Sequence, residues 1–163
     1  MANSDSGFSR LSASWVEWTG RARMPGVAVS QACTDCAISF LAEDDSFHLR
    51  QENGWWLIDR VNDRGQRYND IAKLSTLDLT MKFLIWRWIT NARSDLSSGR
   101  LGAALHKQGY APGITVTDMN GTRAKLCLHD QCAVLSLSTA TVFSHIMLMS
   151  VDEIEQIGRQ GGQ

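Results

Sequence analysis

The sequence lacks the charge and apolar runs that would suit it to nucleic acid or to a membrane. Its 163 residues include 16 Lys and Arg and 17 Asp and Glu, which gives a formal net charge of -1. A nucleic-acid-binding protein usually carries a basic excess or a basic stripe, and neither is visible. The longest strongly apolar run, Phe83 to Trp86, is far too short to cross a bilayer. We therefore expect neither a nucleic acid nor a membrane as partner.

A secretion signal is also missing. The first ten residues, MANSDSGFSR, do not show the charged and then apolar pattern of a signal peptide, so a cytoplasmic location is expected. Thiols stay reduced in that compartment. Cys33, Cys36, Cys127 and Cys132 are therefore expected to be free thiols rather than a disulfide framework.

Motifs that carry a catalytic mechanism are absent from the chain. It has no G-x-S-x-G, no P-loop and no HExxH, and its four histidines do not form a metal-binding pair by spacing. A hydrolase can still hide its carboxylates, because spacing in sequence does not fix proximity in space. We expect no enzymatic activity and no cofactor, and keep a small enzyme as an alternative.

A zinc site is the strongest of the chemical alternatives. Cys33-Thr-Asp-Cys36 looks like half of a structural site, which Cys127, His129 and Cys132 would complete. The four-residue gap in the second half is unorthodox beside the usual paired spacing, and an extended 33–36 segment would point its two thiols to opposite faces. A redox CxxC would need a helix that starts at the motif, whereas a strand pattern follows. A zinc-supported enzyme or ligand-binding domain is therefore only an alternative.

Sequence patterns typical of helices occur near both ends of the chain and at its centre. Apolar residues from Phe8 to Trp18 recur every three or four positions, which predicts an amphipathic helix that ends near Gly20. Ser75 predicts the start of a central helix over 76–93 that is apolar nearly all round and hence buried on several sides. A polar loop, 95–102, and a short helix, 101–108, follow.

Two further helices are predicted at the end of the chain. Ser138 or Thr139 is expected to cap a helix over 140–149. Ser150 and Glu153 have the spacing of a full capping box, which predicts a last helix through Ile157.

The strand patterns include a strong hairpin signal at Asn53-Gly54. A two-residue turn there pairs Leu49 with Ile58 and leaves Trp55 on a mostly polar face. The neighbouring strand-like runs are 37–41, 47–52 and 66–74.

A second hairpin is expected around Asn120-Gly121. A two-residue loop would place Val116 opposite Lys125 and mix the two faces. A three-residue loop, 119–121, pairs Val116 with Ala124 and keeps one face apolar, so we predict this bulged hairpin, followed by a strand over 132–137. With no internal repeat or linker, the predicted fold is a single α+β domain over 1–163, with mostly antiparallel sheet built from hairpins, an N-terminal helix, a buried central helix and C-terminal helices.

Candidate partner-binding residues are an aromatic on a polar face and two turns that carry arginine. Interfaces favour Trp and Arg as anchors, and loops carry function more often than core elements do. The alternative is that the two turns are simply solvated connections and that the Trp packs under a helix. The candidates are Trp55, then Arg64, Gly65 and Arg67, then Ser97, Ser98, Gly99 and Arg100.

The order of several short motifs resembles the immunity proteins of the tuberculosis necrotizing toxin antitoxin family. They run over roughly the whole chain: a Trp-bearing N-terminal helix, Gly54-Trp55-Trp56, Ser75-Thr76, Tyr110-x-Pro-Gly113, Phe143-Ser144 and Ser150-x-Asp-Glu-Ile154. The resemblance implies a cytoplasmic antidote that binds a secreted NAD-hydrolysing toxin domain and blocks its substrate cleft without chemistry of its own. A segment carrying Arg100 between small residues is a hypothesis for entry into that cleft. The alternative binding role is a chaperone-like partner of a secreted protein, which would favour an unfolded client over an active toxin.

Overall fold

The structure, a computed structural model, describes residues 2–160 and the side chains from Asp5 onward. Its helices are α1 (Ala2–Arg21), α2 (Leu77–Ala92), α3 (Ser94–Ser97), α4 (Ala103–Lys107), α5 (Leu137–Ile146) and α6 (Val151–Arg159). Its strands are β1 (Ala28–Ser30), β2 (Ile38–Leu41), β3 (Asp45–Glu52), β4 (Trp55–Asn62), β5 (Arg67–Leu74), β6 (Thr115–Met119), β7 (Arg123–Leu128) and β8 (Gln131–Ser136). The predicted α+β class is confirmed.

The strands form one antiparallel sheet in the order β1-β2-β3-β4-β5-β8-β7-β6. Hairpin connections link β1 to β5 in sequence order and likewise β6 to β8. The two series meet where β5 pairs with β8 over three residue pairs, from Ala72–Leu135 to Leu74–Ala133. Of the described helices, α1, α2, α5 and α6 share one core with one face of this sheet.

The first predicted hairpin is confirmed in turn and register. Leu49 pairs with Ile58 across β3 and β4, and the turn residues Asn53 and Gly54 have φ angles of 54° and 81°. Two consecutive left-handed residues give the turn whose twist matches that of the flanking strands. Trp55 therefore lies on the face that the helices leave uncovered, here called the helix-free face.

The register predicted for the second hairpin is wrong by two residues. Val116 pairs with Leu126, and Met119 pairs with Arg123, so the three-residue loop is 120–122. The predicted pairing of Val116 with Ala124 does not form. The Asp118 carboxylate accepts a hydrogen bond of 2.8 Å from the Gly121 backbone N–H. This bond favours the observed loop, 120–122, over the predicted loop, 119–121.

The central helix α2 is buried on several sides, as predicted, but Thr76 caps it instead of Ser75. The Thr76 hydroxyl accepts a hydrogen bond from the backbone N–H of Leu79 at 3.1 Å. The Ser75 hydroxyl instead accepts one from the Cys132 backbone N–H at 2.7 Å. Ser75 therefore ties the start of the helix to β8.

Three more boundaries differ from the prediction. The segment expected to be a loop, 95–102, overlaps the helical turn α3. Helix α5 begins directly after β8 with Ser136 as N-cap, and the hydroxyls of Ser138 and Thr139 hydrogen-bond to the Ser136 hydroxyl instead of capping the helix. Strand β1, three residues at the sheet edge, was not predicted. The capping box of Ser150 and Glu153 is confirmed.

The expectation of free thiols is wrong. The structure joins the cysteines in two disulfides, Cys33–Cys36 and Cys127–Cys132. The second pair lies directly across β7 and β8, and the Cα atoms of the first pair are 5.5 Å apart, a distance typical of a disulfide. Local geometry, and not the expected compartment, brings these sulfur atoms together.

The two cysteine pairs are too far apart to share a zinc ion. One pair precedes β2, and the other joins β7 to β8, with β3, β4 and β5 between β2 and β8. Strands are spaced by about 4.8 Å, so this separation is roughly 19 Å. Within residues 2–160, no three His, Cys, Asp or Glu side chains are grouped as they would be around a metal ion. In the same range, no helix is long and apolar enough to pass through a bilayer.

Candidate interaction surfaces

The predicted binding residues fall into separate regions of the molecule. Trp55 begins β4 beside the β3–β4 turn, whereas Arg64 follows the far end of the same strand. At about 3.3 Å per residue, the length of β4 separates them by more than roughly 20 Å. Ser97 lies at the same end as Arg64, because Ser97 and Arg60 line one crevice. The loop end is defined here as Arg64, Gly65 and Ser97–Arg100.

The segment Ser97–Arg100 is held between two buried leucines. Leu96 is 6% exposed and Leu101 is fully buried. The Leu101 backbone N–H donates to the Leu96 carbonyl at 2.9 Å. The Trp86 indole N–H donates to the Leu101 carbonyl, also at 2.9 Å. The first bond joins the two ends of the segment to each other, and the second ties its C-terminal end to the core helix α2.

A close backbone approach adds to this order. A Cβ atom at Gly102 would lie 1.6 Å from the Ser97 carbonyl oxygen, so only glycine fits there without a shift of the main chain. The Ser98 hydroxyl donates to the Ser94 carbonyl at 3.0 Å. The Arg100 side chain is left exposed. The segment thus presents its one cation from a fixed backbone.

The turn between β4 and β5 is also ordered by its own hydrogen bonds. The Asn62 side-chain oxygen accepts from the backbone N–H groups of Arg64 at 3.0 Å and Gln66 at 2.9 Å. Gly65 supplies the left-handed φ of 77° that the turn needs. Arg64 is exposed at its tip.

Arg67, in contrast, belongs to an ion network on the helix-free face. Its guanidinium donates to Asp59 at 2.8 Å, and Arg50 Nε donates to the same carboxylate at 2.9 Å. The Asp59 side chain is 1% exposed and also accepts from the Asp70 backbone N–H at 2.8 Å. Burial raises the pKa of Asp59, but the hydrogen bonds from Arg50 and Arg67 outweigh it and leave that pKa below its usual value.

Trp55 lies between two lysines on the helix-free face. The Lys73 and Lys125 ammonium groups are 5.5 and 5.9 Å from its ring centroid, within the range of cation–π attraction. Leu57 and Val134 point to this face too, yet they are only 3% and 6% exposed. Since no described helix packs here, neighbouring side chains must shield them. Trp55 is a half-buried aromatic with basic flanks.

A crevice beside the loop end was not predicted. It has a volume of about 550 Å³ and lies between the C-terminal half of α2 and the ends of β3 and β4. Arg60 there donates to the Asp45 carboxylate at 2.8 Å. The Arg87 guanidinium carbon lies 5.8 Å from the Phe47 ring centroid. Arg60, Asp45 and Arg87 come from three elements, so no local motif reveals them.

Comparison with known proteins identifies the family. The family model described as Immunity protein 61 matches residues 21–157. Among solved structures, Rv3902c from M. tuberculosis is similar, with a TM-score of 0.65 and 14% sequence identity over 87% of this chain and 86% of that chain. No curated protein matches the chain. The expected membership of an immunity protein family is confirmed, and the chain belongs to the Immunity protein 61 family.

Proposed function

We propose that this protein binds a secreted NAD-hydrolysing toxin domain and neutralises it by occluding its substrate cleft. The observation that supports a toxin as the partner is membership of an immunity protein family. The NAD-hydrolysing class of the toxin comes from the motif resemblance given above. In this proposal the protein acts by binding alone and needs no cofactor.

The loop end is proposed as the surface that enters the cleft. An inhibitor that must persist against substrate needs a slow dissociation rate and a surface that loses little entropy on binding. The segment Ser97–Arg100 meets this need, because its flanking leucines and the close approach at Gly102 already fix its backbone. The small residues Ser97, Ser98 and Gly99 let this backbone approach the cleft closely, and the planar guanidinium of Arg100 would pair with a carboxylate of the toxin.

Arg64 and Gly65 are proposed as contacts on the rim of the same surface. Their turn is closed by the Asn62 side chain, so its tip is presented without further ordering. Trp55 and Arg67 belong to the helix-free face and are proposed as a second contact area. We expect Arg67 to contribute less than Trp55, since its guanidinium is already hydrogen-bonded to Asp59.

Inhibition of the cognate toxin domain tests this function. The most informative partner is a toxin domain encoded immediately next to this protein. Wild-type protein should co-purify with that domain and abolish its hydrolysis of NAD to nicotinamide and ADP-ribose. A complex that forms without loss of NAD hydrolysis, or a neighbouring toxin with another activity, would contradict the proposed target class.

Substitutions in the loop end test the proposed surface. Arg100→Ala, and replacement of Ser97–Gly99 by a sequence of larger residues, should each weaken inhibition at least about tenfold, the effect of losing one charged contact. Lys107→Ala, at another exposed cation just outside the segment, is the matched control and should inhibit like wild type. Undiminished inhibition by both loop variants would remove the segment from the interface.

A further inference from the structure

The crevice beside the loop end has the size of a small-molecule site. Its volume of about 550 Å³ falls within the range of roughly 300–1,000 Å³ that is typical of ligand pockets. Such pockets are lined mostly by apolar and aromatic groups with a few convergent polar ones. Five aromatic core side chains, each at most 8% exposed, border it: Trp15, Trp18, Phe47, Trp86 and Trp88.

The crevice carries one positive charge without a counter-ion. Arg60 is neutralised by Asp45. Among the described side chains, no carboxylate lies within ion-pairing distance of Arg87. Its guanidinium lies over the Phe47 ring, and the Asp45 carboxylate attracts it only from a longer distance. Arg87 is half-buried. The lining therefore has a net positive charge concentrated on Arg87.

This arrangement is unfavourable for the empty protein. A half-buried guanidinium loses hydration and gains no ion pair in return. Burial accordingly lowers the pKa of Arg87, and the positive charge of Arg60 lowers it further, while the Asp45 carboxylate raises it by a smaller amount. Charged groups in such unfavourable surroundings concentrate at binding and catalytic sites. An anion beside Arg87 would supply the missing counter-charge.

Other groups around the crevice also favour an anion. Ser138 and Thr139, in the first turn of the ten-residue helix α5, line it, and the positive end of a helix dipole attracts negative charge. The Trp18 and Trp88 indoles are buried, and their N–H groups have no acceptor among the described residues. Both residues are among those that line the crevice.

We propose that this crevice binds a small organic molecule that has an anionic head, carboxylate or phosphate, and an aromatic or apolar body. Arg87 contacts the head, and the aromatic wall holds the body. Of the residues of the loop end, this site includes Ser97 alone. Ligand binding and toxin neutralisation can therefore be measured independently.

Titration calorimetry with three matched probes tests the proposal. Naphthoate and naphthyl phosphate share an aromatic body and differ in the anion, whereas naphthamide keeps the body and has no charge. At least one of the two anions should bind the full-length protein about tenfold or more tightly than naphthamide, as expected for one charged hydrogen bond. The stronger of the two identifies the preferred head group. Equal binding of naphthamide, or no binding of either anion at millimolar concentration, would overturn the proposal.

Variants of Arg87 separate binding from a structural role. Arg87→Gln should weaken binding of the preferred anion at least about tenfold, whereas Arg64→Gln, at an exposed arginine on the β4–β5 turn, should not. The free Arg87→Gln protein should melt at the same temperature as wild type or higher, because an uncompensated charge is removed, and the anion should raise the melting temperature of wild type only. Lower stability together with unchanged affinity would make Arg87 structural and refute the assignment. If Arg87→Gln does not fold, Arg87→Lys keeps the charge and should bind the anion more weakly through the loss of the planar fork.

Discussion

Removal of the Asp59 carboxylate should be among the most destabilising single changes on the helix-free face. Asp59 accepts hydrogen bonds from Arg50, from Arg67 and from the Asp70 backbone N–H, at 2.8 to 2.9 Å. In Asp59→Ala, the Asp70 N–H loses its acceptor, at a cost of about 1–3 kcal/mol. The two guanidinium groups lose their shared counter-ion but are partly rehydrated, because their side chains are 22% and 34% exposed.

The expected loss is therefore about 3 kcal/mol, the lower end of the range for breaking a buried ion pair. For a chain of this size, that corresponds to a fall in melting temperature of roughly 6–12 °C. Urea unfolding followed by tryptophan fluorescence measures the change in unfolding free energy. Asp44→Ala, at an exposed acid, is the control and should stay within about 0.5 kcal/mol of wild type. An Asp59→Ala protein within about 1 kcal/mol of wild type would refute this account of the network.

The pH dependence of stability provides a second test of the same network. The pKa of Asp59 in the folded state is below its usual value. Its contribution is therefore complete above the unfolded-state pKa of about 3.9 and is lost as the pH falls through the lower folded pKa. Wild type should lose more stability than Asp59→Asn as the pH is lowered below about 4. Parallel stability curves for the two proteins in that range would contradict the assigned ionisation.

Three further predictions concern packing, capping and the disulfides. Gly158→Ala should cost about 1–2 kcal/mol in urea unfolding, because its Cβ would lie 2.8 Å from Trp18 and from Ile89, whereas Gly20→Ala, with no atom within 4 Å, should be neutral or stabilising. Ser150→Ala should cost about 1 kcal/mol through loss of the capping box, and Ser9→Ala, at an exposed serine inside α1, should cost far less in the same assay. Alkylation of denatured but unreduced protein should modify none of the four cysteines, and reduction should lower stability by about 2 kcal/mol per short loop. Alkylation of all four before reduction would contradict both bridges.

Local sequence signals predicted which helices and strands form better than they predicted how the strands pair. Asn53-Gly54 fixed its hairpin because the two-residue turn requires two left-handed residues and permits one alignment. At Asn120-Gly121, three-residue loops at 119–121 and 120–122 place the same residues on the same face. The apolar pattern could not distinguish registers that differ by two residues, and the Asp118 side chain decides between them.

The sequence predicted candidate binding residues only where they lie on a single strand, helix or loop. Alternation along β4 put Trp55 on the helix-free face. The crevice, however, combines Asp45, Arg60 and Arg87 from β3, β4 and α2. Its charge imbalance arises because a carboxylate reaches Arg60 and none reaches Arg87, which is a property of packing distances. The disulfides were missed because the expected compartment was taken to keep thiols reduced, whereas the pairing of β7 with β8 places Cys127 opposite Cys132.

The junction of β5 with β8 sets an order for folding. The hairpins from β1 to β5 and from β6 to β8 close over short loops, whereas the first residue pair of the junction, Ala72 with Leu135, closes a loop that contains α2 and about sixty residues. Contacts of such sequence separation form slowly. Both series of strands should therefore acquire amide protection in a pulse-labelling experiment before the junction does. The core helix α2, which follows β5 in the interval between the two series, would then complete its packing last.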